Sequence, residues 1–342
     1  VEGVPAKARV ATGADVGVTI KDSKLLKKPI ELEMYDDTAD PWGMSREELG
    51  AMGKNPTPFR LMTKDEVNAF IVAENASPVS IIEDGDVFTA TEAFYTHSHT
   101  NAVVQYKTYK NHPYTDIKLT VEFAEKSKLM RVKIPLPEDM AGAITVGDGP
   151  YVWEEKPKVG EISFQKWVGA KKDNRIFAII NDGIYAGKSD GKYIYLTLLR
   201  GTGYCFHPIP DRPLYPTDRF LPRIECGRYV YNLRIFEGNI YEVAKMAEEF
   251  ATRPYTTNVF PIGMGKRKDA KISVAGEVIT SAIKEGECED YIVRLYNPKD
   301  EPSEFKLTIG SNSTLGIVPG RAILTVGCTD GRFTIYEDKT PV

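Results

Sequence analysis

Ile117, Leu119, Val121 and Phe123 alternate with Lys118, Thr120 and Glu122, and this two-residue period returns along the chain. Successive side chains of a strand point to opposite faces, whereas a helix repeats every 3.6 residues, so such a run buries one face only as a β-strand. Met130, Val132 and Ile134 alternate with Arg131 and Lys133, and Tyr229, Tyr231, Leu233 and Ile235 do so with polar neighbours. Further strands are read at Val79 to Glu83, Val87 to Tyr95 and Ala102 to Lys110. Short Gly, Pro, Asn and Asp clusters separate the runs, which argues for antiparallel pairing and a mostly β, large sandwich.

Helix is scarce. Asn239 to Ala251 has a capping residue in Asn239, a capping-box Glu242 and one apolar stripe of Ile240, Val243, Ala244, Ala247 and Phe250, and Pro254 ends it. Ser45 with Glu48 and Thr63 with Glu66 repeat the capping pattern and predict short helical insertions at Ser45 to Met52 and Thr63 to Val67. The stretch around Gly263-Met264-Gly265-Lys266-Arg267-Lys268 has no core-forming pattern. We therefore expect a large β unit over 1–255, a linker over 256–270, and a small β-sandwich of six or seven strands over 271–342.

The 342 residues carry a net charge of −4 and 42% hydrophobic residues, enough to bury a sizeable core. That balance gives no electrostatic reason to expect nucleic acid or a membrane as partner. No run of about 18 apolar residues is present. Cys205, Cys226, Cys288 and Cys328 lie far apart with no CxxC, so a reducing, cytoplasmic setting is expected, with Cys205 and Cys226 at opposite ends of one loop. The start at Val1, without an initiator Met, leads us to expect a piece of a longer protein.

Chemistry concentrates after Phe164. Two apolar runs, Ile176 to Ile180 and Ile194 to Leu199, bracket Asn181-Asp182-Gly183-Ile184-Tyr185 and end at Arg200, which reads as a β-hairpin presenting polar and aromatic groups at one rim. A guanidinium at a strand exit binds an anion or a polyol, or it pairs with Asp182 across the hairpin. Asp182 and Tyr185 belong either to a binding rim or to a plain turn. Tyr204, His207, Asp218 and Arg219 lie on a long proline-rich loop, where Tyr204 offers a face to a pyranose or packs at a domain interface. Asp36, Asp37 and Asp40 form the densest acidic cluster and precede Trp42; they serve a sugar or a turn over a sheet-packed indole. His97 and His99, with His112 as a third ligand, would make a metal site, or else a polar turn between strands.

The ordered segments Phe164 to Gly169, Ala178 to Gly187, Tyr195 to Tyr204 and Glu225 to Phe236 resemble the C-terminal β-domain region of family 38 glycoside hydrolases, the retaining α-mannosidases. Asp36 to Trp42, Ser281 to Lys284 and Ile292 to Pro298 continue the resemblance in order, over nearly the whole chain. It departs from the family pattern at Ala186, where glycine is commoner, and in the long loop, where Arg212 and Arg219 replace an acidic stretch.

The resemblance implies a broad supersandwich of the galactose-mutarotase type for the large unit, with Arg200 facing a glycone cleft. It also implies that nucleophile, acid/base and zinc ligands lie in an N-terminal α/β domain, which no part of this chain resembles. The function expected is that of a non-catalytic C-terminal region, inactive alone and without a cofactor of its own. It would support its own N-terminal catalytic domain and line a cleft for a mannose-containing oligosaccharide with Arg200, Asp182, Tyr185, Tyr204, His207, Asp218, Asp40 and Trp42. A homo-oligomer is compatible with the sequence. The alternatives are a free-standing lectin-like protein and an aldose-epimerase-like enzyme, which needs a general acid and base that His97, His99, His112 and His207 do not supply in a matching pattern.

Overall fold

The computed structural model describes residues 10–11, 18–37, 56–140, 142–203, 223–252, 254–255 and 271–336. The alternating segments are strands. In chain order they are β1 (Val10–Ala11), β2 (Glu31–Asp36), β3 (Thr57–Pro58), β4 (Arg60–Leu61), β5 (Val79–Asp84), β6 (Phe88–His97), β7 (Thr100–Tyr109), β8 (Tyr114–Phe123) and β9 (Lys128–Pro135). There follow β10 (Ile144–Asp148), β11 (Trp153–Lys156), β12 (Gly160–Ser163), β13 (Trp167–Lys172), β14 (Arg175–Asn181), β15 (Ala186–Ser189), β16 (Tyr193–Arg200) and β17 (Gly227–Gly238). The last seven are β18 (Ile272–Ala275), β19 (Ile279–Lys284), β20 (Tyr291–Asn297), β21 (Ser303–Ile309), β22 (Asn312–Val318), β23 (Ala322–Thr329) and β24 (Arg332–Tyr336). Two α-helices are described, α1 (Lys64–Ile71) and α2 (Ile240–Ala251), each opened by the capping box expected from Thr63 with Glu66 and Asn239 with Glu242. Neither is long and apolar enough to cross a membrane.

The chain divides into two compact units. The first comprises Val1–Gly147, Glu155–Asp173 and Phe177–Glu237; the second comprises Asp148–Glu154, Asn174–Ile176 and Gly238–Val342, which places α2 with the later strands.

An eleven-stranded sheet in the order β1-β5-β6-β7-β8-β17-β14-β13-β10-β11, with β4 on β6, accompanies a six-stranded sheet in the order β12-β15-β16-β9-β2-β3. Their inner faces share one core. Val104, Ile117, Leu119 and Val121 of the large sheet belong to the same buried cluster as Leu32, Met34, Met130, Val132, Ile134 and Leu196 of the small one. The alternation read along β8 is the alternation of burial: Ile117, Leu119, Val121 and Phe123 are no more than 2% exposed. On the outer face, α1 lays Val67 against Phe94 and Met62.

The expected hairpin of Ile176 to Ile180 with Ile194 to Leu199 does not form. β14 lies inside the large sheet between β17 and β13, and β16 lies in the small sheet between β15 and β9. An unbroken apolar run suits a strand buried on both faces, and Ile176, Phe177, Ala178, Ile179 and Ile180 are all fully buried. The segment between the runs is a crossing from one sheet to the other. Asn181 shapes it, accepting from the amides of Gly183 (3.0 Å) and Ile184 (2.6 Å) and donating to the Gln165 carbonyl (2.9 Å), while Ile184 plugs the core. The partner of β16 is β15, with Gly187 opposite Leu196, and a Cβ at Gly187 would stand 2.1 Å from the Tyr195 carbonyl oxygen.

The second unit pairs β18-β21-β22 in one sheet and β19-β20-β23-β24 in the other. Val293, Leu295, Leu307, Val318 and Val326 form the centre of its core, all fully buried. The Trp153 indole donates to the Pro298 carbonyl (2.9 Å), and the Arg321 guanidinium lies 4.5 Å from its ring. β22 is an outermost strand, and its Leu315 and Ile317 are exposed.

Because Leu119 is wholly enclosed between the sheets, Leu119→Ala is expected to destabilise the first unit by about 2–5 kcal/mol. Urea denaturation followed by tryptophan fluorescence measures it; a loss below about 1 kcal/mol would contradict the shared core.

Candidate functional site

At one end of the first unit, β8 leaves the large sheet and the chain enters β9 of the small sheet through residues 124–127. Backbone hydrogen bonds pin this crossing. The Ser127 amide donates to Gly201 O (2.7 Å), the Gly201 amide to Lys128 O (2.7 Å), and the Asp37 amide to Ser127 O (2.9 Å). A side chain at Gly201 is excluded, since its Cβ would lie 2.1 Å from Glu125 O. The exits of β16 and β2 therefore flank the entry of β9. The turn between β6 and β7 reaches the same end, where the Glu125 carboxylate accepts from the His99 amide (2.8 Å) and Thr100 Oγ1 (3.4 Å).

Here Arg200 meets Asp37. Nε donates to Oδ2 at 2.6 Å and Nη2 to Oδ1 at 2.9 Å, a two-pronged charge-assisted pair. The Asp37 side chain is wholly buried and that of Arg200 is 21% exposed. The Arg200 amide donates to the Glu225 carboxylate, and Glu225 holds a left-handed backbone at φ 60°. Two of the five guanidinium N–H groups are thus committed to Asp37, and no other described residue takes the rest. Asp36 pairs with Lys128 beside them.

The alternative reading of Arg200, a pair with Asp182, is not what forms. Asp182 instead accepts from the Asn232 amide (3.2 Å) and Nδ2 (2.6 Å), midway along β17. Tyr231 and Leu233 pack on the core, so Asn232 faces the outer side of the large sheet. Five residues separate it from Gly227, the β17 residue at the Arg200 end, or about 17 Å of strand. The cause is the crossing already described: Asp182 follows β14 in one sheet and Arg200 ends β16 in the other. Tyr185 is 65% exposed and immediately precedes β15, whose antiparallel ladder with β16 puts it at the Arg200 end of the small sheet.

Tyr204, His207, Asp218, Arg219, Asp40, Trp42 and Cys205 lie outside the described residues, as do the helix expected at Ser45 to Met52 and the expected linker. Cys226 is a free thiol. The histidine triad is not assembled. His97 and His99 stand at the start of β7 and His112 beyond its other end, about 30 Å of strand away, stacked on Tyr114 at 5.3 Å. Among the described residues, no group of three or more His, Cys, Asp or Glu side chains is set to hold a metal ion.

Sequence reasoning missed three contributors: Asp37 as the partner of Arg200, and the carboxylates of Glu125 and Glu225. Only Asp37 carried a signal, as a member of the acidic cluster following β2. Three buried polar atoms at this end, His97 Nδ1, Thr202 Oγ1 and Arg223 Nε, have no hydrogen-bond partner among the described residues. Thr202 accompanies Arg223 here because the Ile224 amide donates to Thr202 O (3.0 Å). Buried polar groups are normally satisfied, so these three atoms mark this end as one that takes further hydrogen-bond partners.

Removing Asp37 leaves a largely buried cation uncompensated. Asp37→Ala is expected to cost about 3 kcal/mol, against about 1 kcal/mol or less for Asp182→Ala at its exposed position, by urea denaturation. Equal losses would place the principal partner elsewhere.

No family model and no curated protein sequence matches the chain. Solved structures do. An α-mannosidase from Enterococcus faecalis V583 superposes with a TM-score of 0.59 at 16% identity, over 82% of this chain and 34% of that one. A protein in glycosyl hydrolase family 38 from Enterococcus faecalis does so with a TM-score of 0.60 at 16% identity, over 82% of this chain and 35% of that one. The chain thus spans about a third of the length of these structures, and over that part it has the fold of family 38 α-mannosidases.

Proposed function

We propose that this chain is the non-catalytic region of a retaining α-mannosidase, supporting a catalytic domain and lining part of its sugar cleft. The likeness of fold over most of this chain, but only a third of each α-mannosidase-like neighbour, carries the reading. Retaining glycosidases work with two carboxylates about 5–5.5 Å apart, and the Arg200 end offers instead an arginine whose nearest carboxylate is buried and engaged with it. In this reading the nucleophile and acid/base belong to the remaining two-thirds of the protein. The zinc would lie there as well, outside this chain.

Arg200 and Tyr185 are the described residues assigned to the cleft. The guanidinium donates in fixed geometry to sugar hydroxyls, and the exposed phenol ring supplies an apolar face for a pyranose. Asp182 is assigned to Asn232, and Asp40, Trp42, Tyr204, His207 and Asp218 complete the proposed sugar contacts.

Antibodies to this chain, used to blot a lysate of the source cells, are expected to detect a band well above the chain's own 38.1 kDa. Calorimetry of the isolated chain with methyl α-mannoside is expected to give no saturable heat, whereas a lectin would bind with a Kd on the order of 1 mM or tighter. In the intact enzyme, Arg200→Lys keeps a cation for Asp37 but loses the fork. Loss of a charged hydrogen bond, about 1.5–3 kcal/mol, would lower kcat/KM on 4-nitrophenyl α-mannoside by roughly 10- to 100-fold. A band at the chain's own size with saturable mannoside binding would overturn the proposal.

A further inference from the structure

We propose that Asp37 is a specificity-determining residue, which cancels the charge of Arg200 so that this end of the protein accepts uncharged hydroxyl groups and excludes anions. This deepens the sugar-cleft reading and rests on it only for which polyol is bound.

An exposed arginine at a strand exit is ordinarily an anion site, because its fork matches carboxylate, sulfate and phosphate. Asp37 already occupies one side of that fork with both oxygens, and its side chain is wholly buried, where water screens the pair least. An arriving anion would meet the guanidinium and a fixed carboxylate together, so attraction and repulsion largely cancel. The other described charges at this end offset one another, Glu125 and Glu225 standing with Lys126 and Arg223. Glu225 lies on the Arg200 amide, Glu125 is 5% exposed beneath the β6–β7 turn, and Lys128 is already matched by Asp36.

The N–H groups of Arg200 that no described residue takes remain as donors for which no net charge is required. Thr202 Oγ1 and His97 Nδ1, buried and without partners among the described residues at the same end, are groups of the kind that exchange hydrogen bonds with hydroxyls. Asp37 could not be replaced in this role by Asp182, which is bonded to Asn232.

NMR observation of the Arg200 Nε–Hε resonance in this chain, titrated with sodium sulfate against sodium chloride at matched ionic strength, tests the inference. The wild-type resonance is expected to show no saturable shift specific to sulfate. Asp37→Asn, which keeps the side-chain shape and removes the charge, is expected to give a saturable shift, with sulfate affinity raised by about tenfold or more. Saturable sulfate binding at Arg200 in the wild type overturns the proposal whether or not the variant folds. A folded Asp37→Asn chain without gained sulfate binding overturns it too. Failure of the intact protein to hydrolyse α-mannosides would remove the sugar-cleft reading and leave the anion result standing, so the two fail separately.

Discussion

The peptide groups of Ser127, Lys128 and Gly201 carry the β9–β16 ladder of the small sheet past its last strand pair, where the chain arrives from the large sheet. Their hydrogen bonds are short, and they depend on the missing Cβ of Gly201, since Glu125 O occupies the space a side chain would need. Everything at that end follows from this contact. It aligns the exits of β2 and β16 on either side of β9, which brings Asp37 and Arg200 together from positions 163 residues apart in the chain. The same passage sets Glu125 under the β6–β7 turn. Packing of the two inner faces supplies the bulk of the stability, and the clamp decides which side chains meet at the edge of that core.

Elements whose cause is local were legible in the sequence. The alternation of β8, β9 and β17 is a property of successive side chains, and the capping boxes at Thr63 and Asn239 lie within four residues of one another, so neither needs knowledge of the rest of the fold. Six or seven short strands were likewise expected after residue 271, where seven are described. Pairing across distance was not legible. Two apolar runs joined by Asn-Asp-Gly match the pattern of a hairpin, and nothing in that pattern records that the first run is covered on both faces while Gly187 lets a third strand take its place beside the second. The pairing with Asp182, one of the two readings of Arg200, fails for the same reason, because Asp182 stays with the sheet that β14 belongs to. Asp37 drew notice only as one of several aspartates, since its meaning depends on the position of β16.

An arginine and an aspartate brought together at a buried edge behave differently from either residue alone. The pair loses much of its hydration, and that loss is offset only if the geometry is tight, which the two-pronged contact provides. What the sequence suggests as a cationic group is, in the folded chain, part of a dipole with a defined direction. That change of character separates Arg200 from Arg131, which donates to Glu161 through Nη2 and is 2% exposed, so that little of it is left to reach any ligand.

The outermost strand β22 has a further consequence. From Asn312 to Val318 it contains no charged residue and no proline, and beyond its partner β21 its remaining backbone donors and acceptors face away from the sheet. With Leu315 and Ile317 exposed along it, the strand lacks the lysines, bulges or prolines by which natural edges discourage strand addition. For the isolated chain, shelf life in solution is therefore a matter of concentration and encounter rate as much as of folding free energy, because two copies meeting edge to edge gain hydrogen bonds without either having to unfold.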